Sequence, residues 1–222
     1  MGLIRYFGHS AFEIVIDGKK VLIDPWLENP KSPIKPDEIK EVDYIIITHD
    51  HGDHLGNAFD IAKKTGATIV GIYEIAMLAN ENGVEKAVGG NIGGPIELEG
   101  LTVVFTQATH SSDKGVPTGV VLLGKEASIY HAGDTGVFGD MALIKELYDP
   151  KIALLPIGGH FVMGPREAAK AVELLQPEVV IPMHYGTFPV LRGTPEEFKK
   201  YVEERGVKTK IVVLNPGESY KF

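Results

Sequence analysis

Cysteine is absent from the 222 residues, which rules out a disulfide framework and any thiolate metal site. No apolar run approaches the roughly 18 residues that a membrane span needs. The opening stretch, Met1 to Gly18, alternates like a strand and lacks a basic region followed by a long apolar one, so no signal peptide is predicted. Positive charge is scarce too. The chain has 22 Lys and Arg against 30 Asp and Glu, a formal net charge of −8, and no basic stripe. That disfavours long DNA or RNA as the main partner. What remains is an ordinary folded composition, 44% hydrophobic and 23% charged, with the length of one domain over residues 1–222. A small-molecule substrate and a cytoplasmic location are the expectations. Nothing in the chain alone reports a symmetric patch, which leaves assembly into a homo-oligomer open.

Proline, glycine and β-branched residues punctuate the chain. Residues 3–7 and 11–16 read as strands broken at Gly8-His9-Ser10, and 20–24 as a third ending at Asp24-Pro25. Prolines at 25, 30, 33 and 36 make 26–40 a surface loop rather than a helix. The continuous β-branched run at 43–48 predicts a buried strand, followed by a helix over 57–64 and a strand over 67–71. The four glycines of 89–95 mark a turn-rich connection. It lacks the Lys-Ser/Thr of a phosphate loop and does not open a helix. Strands are predicted at 96–98, 101–106, 119–124, 127–133, 179–181 and 210–214. One helix opens near Pro165 and stops before Pro177, and another follows the capping box of Thr194. Residues 42–71 and 151–186 echo each other as strand, His-bearing polar loop, helix, strand. This predicts an α/β protein of two related halves with a site on one edge of its sheets.

The densest chemistry is Thr48-His49-Asp50-His51-Gly52-Asp53-His54. Ligands on one helix face would stand three or four apart. This tighter spacing predicts instead a sharp loop at a strand end, with Gly52 permitting the turn. One loop cannot hold two metals. Three further candidates have the same placement, an apolar strand followed by a ligand-type residue: His110, Asp134 and His184. Singly each could be a capped turn; beside the His cluster they read as one site.

In this order the motifs resemble the metallo-beta-lactamase superfamily across the whole chain. Asp24 matches its first, structural motif, residues 49–54 the second, and His110, Asp134 and His184 the third to fifth. Gly8-His9-Ser10-Ala11-Phe12, Met163-Gly164-Pro165 and His184-Tyr185-Gly186-Thr187-Phe188-Pro189 are similar to a branch of metal-dependent hydrolases related to the ascorbate-6-phosphate lactonases. The resemblance implies a four-layer αββα sandwich with metals at one edge. It also implies that His49, His51 and His110 hold one ion, Asp53, His54 and His184 the other, and that Asp134 bridges them.

Imidazole and carboxylate donors without thiolate suit two divalent ions, zinc first, with manganese or iron compatible. Such a pair can activate a shared hydroxide against a small ester, lactone, phosphorylated or phosphodiester substrate. Asp53 would orient that nucleophile. His9 or His160 would protonate the leaving group or hold a substrate phosphate; the alternatives are a turn histidine satisfying a backbone group and a surface loop. Trp26 and Tyr185 are candidate substrate contacts, although Trp26 could simply be packing. His131 is read as a packed strand histidine, and Asp50 as pointing away in support of a neighbouring ligand. The loops 25–40, 111–118 and 158–165 are expected to set specificity. A nuclease, a flavin-linked di-iron protein and a non-catalytic metal-stabilised binding protein are the rival readings. Charge and the missing nucleic-acid domain disfavour the first. His51, where the di-iron relatives have a carboxylate, and the lack of a flavin domain disfavour the second. The complete ligand set disfavours the third.

Overall fold

A computed structural model describes all residues from Met1 to Phe222. Two seven-stranded mixed sheets form its centre. The first holds β1 (Leu3–Tyr6), β2 (Phe12–Ile16), β3 (Lys19–Ile23), β4 (Tyr44–Ile46), β5 (Thr68–Ile72) and β6 (Ala87–Gly90) in sequence order. The second runs through β7 (Pro95–Leu98), β8 (Leu101–Gln107), β9 (Thr118–Leu123), β10 (Ser128–His131), β11 (Ile152–Pro156), β12 (Val179–Met183) and β13 (Lys210–Ile211). The last strand, β14 (Ser219–Lys221), returns to the first sheet and pairs antiparallel with β1.

Each sheet is antiparallel at its start and parallel from the third or fourth strand onward. β3 and β4 are joined without an α-helix, and the other parallel steps carry crossover helices. In the first half these are α1 (Gly52–Leu55), α2 (Ala58–Thr65) and α3 (Tyr73–Glu81). In the second they are α4 (Met141–Tyr148), α5 (Pro165–Leu175) and α6 (Pro195–Glu204). Helices therefore cover the two outer faces, and the sheets face each other: the αββα sandwich. The internal echo is real in three dimensions. β4–α2–β5 and β11–α5–β12 are both strand, loop, helix, parallel strand.

Alternation along the strands divides the apolar residues between two layers. Val103, Phe105, Val120, Leu122, Ile129, Leu154 and Ile181 point between the sheets, where they join Phe12, Ile14 and Val21 in one buried cluster. Their neighbours Val104, Val121, Tyr130, Ala153, Leu155 and Val180 point outward against Ala168, Val172 and Phe198 of the helices. Strands β11 and β12 are buried at every position, which explains their unbroken hydrophobic runs.

Several local expectations are corrected. Residues 52–55 form a helical turn rather than loop, with His51 at its N-cap. Gly52 has no left-handed backbone and open space at its Cβ position, so the turn does not depend on glycine there. The proline-rich loop contains one 3₁₀ turn, Pro36–Glu38, with proline in its first position. Gly89 and Gly90 belong to β6 rather than to a turn, and a Cβ on Gly90 would strike Ile96 at 2.5 Å. The strand expected over 210–214 is regular only over Lys210–Ile211, and a further strand, β14, follows it. No helix is long and apolar enough to cross a membrane.

Candidate metal centre

Strand ends deliver the site. His49 lies three residues beyond β4, His110 three beyond β8, Asp134 three beyond β10, and His184 directly follows β12. These are the C-terminal edges at which open α/β sheets place their ligands. The first turn of α1 adds Asp53 and His54.

A network around Asp24 orients this edge. Asp24 follows β3, is fully buried and has left-handed backbone (φ 47°). Its Oδ1 accepts the Thr48 N–H at 2.9 Å. Its Oδ2 accepts the Thr48 hydroxyl and the His54 Nδ1–H, both at 2.7 Å. Because the Thr48 proton is committed to Asp24, the hydroxyl oxygen accepts from His49 Nδ1–H at 3.1 Å. Both imidazoles are thereby fixed with Nε2 toward the cavity, the outer-shell arrangement that metal-ligating histidines show. The second sheet is locked to the same point. Thr118 donates its N–H and its hydroxyl to the Thr48 carbonyl, at 3.1 and 2.9 Å.

The ligand-type atoms fall into three overlapping groups: His49, His51 and His110; Asp53, His54 and His184 with His9; and His49, His54 and Asp134. Within each, the offered atoms lie within 4.8 Å of one another. His54 Nε2 stands 3.0 Å from Asp134 Oδ1, and His184 Nε2 stands 3.0 Å from Asp134 Oδ2. Yet His54 Nε2, Asp134 Oδ1 and both ring nitrogens of His184 are buried with no aligned hydrogen-bond partner. Buried polar atoms are normally satisfied. Atoms this close and yet unpaired call for a shared partner, and a borderline divalent cation fits this nitrogen and carboxylate set.

The electrostatics agree. Burial, then the neighbouring His54, pushes His49 down to about 3. Burial likewise lowers His110. Burial raises the Asp134 carboxyl, but His54 and His184 outweigh it and hold the group well below the usual carboxylate range. His54 is the exception. Burial lowers it, but Asp134 and Asp24 on either side raise it well above an ordinary histidine. A cation held in this corner would have to compete with a proton on His54.

The cavity above these atoms measures about 340 Å³ and is lined by His51, Asp53, His110, Ser111, Asp134, Phe161 and His184. His160 does not line it. Gly159 and His160 both have left-handed backbone (φ 72° and 63°). His160 belongs to a neighbouring cleft with Arg192 and Glu197, while Phe161 lines the cavity with the ligand-type side chains. Trp26 and Tyr185 also lie outside the lining. Trp26 stacks on Phe188 at 5.8 Å and meets His9 edge-on. Tyr185 packs toward the outer helices, with Lys31 over its ring. His9 is fully buried behind Asp53. His131 packs as a strand histidine, donating Nε2–H to Ser10 O and accepting the Gly133 N–H. Ser111 and Phe161 were invisible as individual residues in the sequence, although both fall in loops expected to set specificity.

Asp50 points away from the cavity. Its Oδ1 accepts the Ser112 hydroxyl at 2.8 Å and the Asp113 N–H at 2.9 Å, fastening the loop after His110 to the His49–His54 segment. Asp50→Ala is expected to weaken metal binding on the His110 side by about tenfold, in line with outer-shell losses, without unfolding the protein. Chelator competition alongside a thermal melt reads both quantities.

The profile of the beta-lactamase superfamily domain matches residues 19–185. This chain belongs to that superfamily. It is 57% identical to a UPF0173 metal-dependent hydrolase of Thermofilum pendens and 58% identical to one of Staphylothermus marinus, each alignment covering the whole of both chains. Among solved structures, Igni18, a metallo hydrolase of Ignicoccus hospitalis, superposes with a TM-score of 0.93 at 47% identity, covering 100% of this chain and 99% of that one. An isothiocyanate hydrolase from Delia radicum gut bacteria shares the fold at a TM-score of 0.80 and 21% identity, over 99% and 98% of the two chains.

Proposed function

We propose that this protein is a metal-dependent hydrolase with two divalent ions at the sheet edge. His49, His51 and His110 hold one, Asp53, His54 and His184 the other, and Asp134 lies between them. The observation that carries this reading is the set of buried, mutually close and unaligned ligand atoms on Asp134, His54 and His184. Zinc suits the donor set best, with manganese and iron also compatible. When bound, the ions supply an acidified water as nucleophile and stabilise negative charge developing on the substrate.

The chain's own residues then divide the work. Asp53 is the one carboxylate that is both among the ligand-type atoms and partly open, with 25% of its side chain exposed in the cavity. It orients the attacking water. Burial raises the Asp53 carboxyl, but the hydrogen bond from His9 and the nearby His54 hold it below the usual range. It is therefore ionised and accepts a hydrogen bond from that water, while its depressed pKa makes it a weak base. Ser111 offers a hydroxyl to the substrate at the rim. The cavity volume suits a small ester, lactone, phosphorylated or phosphodiester substrate.

Phe161 is the apolar wall of this cavity and is 54% exposed. Substrates with an apolar group beside the scissile bond should lean on it. Phe161→Ala is expected to raise KM for such substrates by about tenfold, the scale of one hydrophobic pocket contact. Because the side chain is open, kcat should fall less than about threefold. Steady-state kinetics on a homologous series of esters separates the two constants.

The reading as a whole is tested by metal analysis of protein purified without added metal, followed by assays of lactones, esters, thioesters and phosphodiesters after loading with zinc or manganese. About two ions per chain with metal-dependent turnover is the expected result. One ion or none, with no turnover after loading, overturns the dinuclear hydrolase.

A further inference from the structure

His9 sits beside the ligand-type atoms of Asp53, His54 and His184 and could pass for one of them. Its bonding is different. His9 Nε2 lies 3.0 Å from Asp53 Oδ2 in an aligned hydrogen bond, whereas His54 Nε2 and His184 Nε2 have none. A carboxylate oxygen accepts only, so Nε2 carries the proton and cannot ligate a metal. We infer that His9 is a positioning residue: its Nε2–H pins Asp53 Oδ2 and leaves Oδ1 for the metal and the attacking water.

The fold fixes this histidine from every side. Its backbone is left-handed (φ 55°). Its carbonyl accepts the Tyr6 hydroxyl at 3.0 Å and the His184 N–H at 2.7 Å. Its ring lies 3.9 Å from that of His184 and meets Trp26 and Phe188 edge-on at 5.3 and 5.4 Å. The neighbouring Gly8 (φ 93°) leaves no room for a Cβ, which would stand 2.7 Å from Asn29 Oδ1. Its Nδ1 is buried without a partner, so the one ring atom that meets a polar group is His9 Nε2, on Asp53. The inference rests on the proposed hydrolase only for its effect on turnover; the hydrogen bond stands without it.

Three variants separate donation from packing. His9→Gln keeps an N–H donor at the same number of bonds from Cβ but loses the ring. His9→Phe keeps the ring and loses the donor. His9→Asn tolerates left-handed backbone and folds readily, but its amide is too short to reach Asp53. Near-ultraviolet circular dichroism establishes that each is folded. The expected result is that Phe and Asn weaken one metal site and lower kcat by about 10–100-fold, the scale of outer-shell losses, with KM within about threefold. Gln recovers most of both. All variants keep the full metal complement and the cobalt(II) absorption pattern of the parent. Equal losses for Gln and Phe would assign His9 to packing, and loss of an ion or a changed cobalt spectrum would make it a ligand; either outcome overturns the inference. Nitrogen-15 NMR of the metal-free protein tests the bond independently of any activity. Protonated Nε2 with bare Nδ1 is expected, and the opposite tautomer overturns it. If the NMR and metal results hold but no variant or parent turns over a substrate, the hydrolase reading fails and the His9 assignment stands.

Discussion

Asp134→Asn is expected to lower kcat/KM by about 10³-fold or more and to strip the protein of at least one ion. The side chain keeps its volume, so the loss isolates the charge. Asp134 is within 3.0 Å of both His54 and His184 and 3.5 Å from His110. It is the one carboxylate that reaches ligands of both proposed ions. Losing an outer-shell partner alone accounts for about 10–100-fold, and the shared anion between two cations must exceed that. An asparagine presents one acceptor and two donors, so one face would direct N–H groups at a cation. Metal analysis and kinetics on a cleaved substrate measure the two effects together. A variant with two ions and near-parental turnover would remove Asp134 from the bridging position.

Asp24→Ala carries the largest expected loss of stability, about 3–5 kcal/mol, the scale of breaking one partner out of a buried ionic network. The variant leaves the Thr48 N–H, the Thr48 hydroxyl and His54 Nδ1–H without an acceptor in a fully buried corner. For a chain of this length that corresponds to a drop in Tm of roughly 6–20 °C. Asp24→Asn behaves differently. Asparagine tolerates the left-handed backbone and still accepts the Thr48 N–H, so most of the fold's stability survives. Its amide faces His54 Nδ1, however, and forces that ring into the opposite tautomer with a proton on Nε2. Metal affinity should then fall by about 10–100-fold. Melting curves and chelator titrations of the two variants distinguish a stability role from an orienting one. The sign with pH follows from the same network. Burial raises the Asp24 carboxyl, His54 more than offsets this, and the net shift is downward. Its contribution is therefore fully present above the ordinary Asp value and is lost as pH falls through the depressed one.

Much of this site could be read from spacing because each ligand stands just past a β-branched run. The runs before His49, Asp134 and His184 are unmistakable strands, and the ligands follow by one to three residues. What spacing could not show was backbone direction. Two successive left-handed residues, Gly159 and His160, exchange the expected histidine for Phe161 at the cavity wall. Likewise, the helical turn at 52–55 is too short for any periodicity to reveal. The elements that went unassigned have local causes. α3 begins directly after β5, with Ile72 as an N-cap that makes no side-chain bond, so no capping signal separates strand from helix. β14 spans three residues, and only its pairing with β1 makes it a strand. Tertiary pairing of that kind leaves no trace in a short segment's own pattern.

The echo of strand, loop, helix and strand in the two halves has a consequence for how the molecule comes apart. His49 to His54 belong to the first sheet, and His110, Asp134 and His184 to the second. Neither half holds a complete set of donors for even one ion in the proposed assignment. Metal binding is then linkage between halves: its free energy adds to the work of separating them. A chain severed in the connection between β6 and β7 would still be clasped by β14 on β1 and by the apolar layer between the sheets. A chelator should therefore lower the denaturant concentration at which the two pieces part, and zinc should restore it.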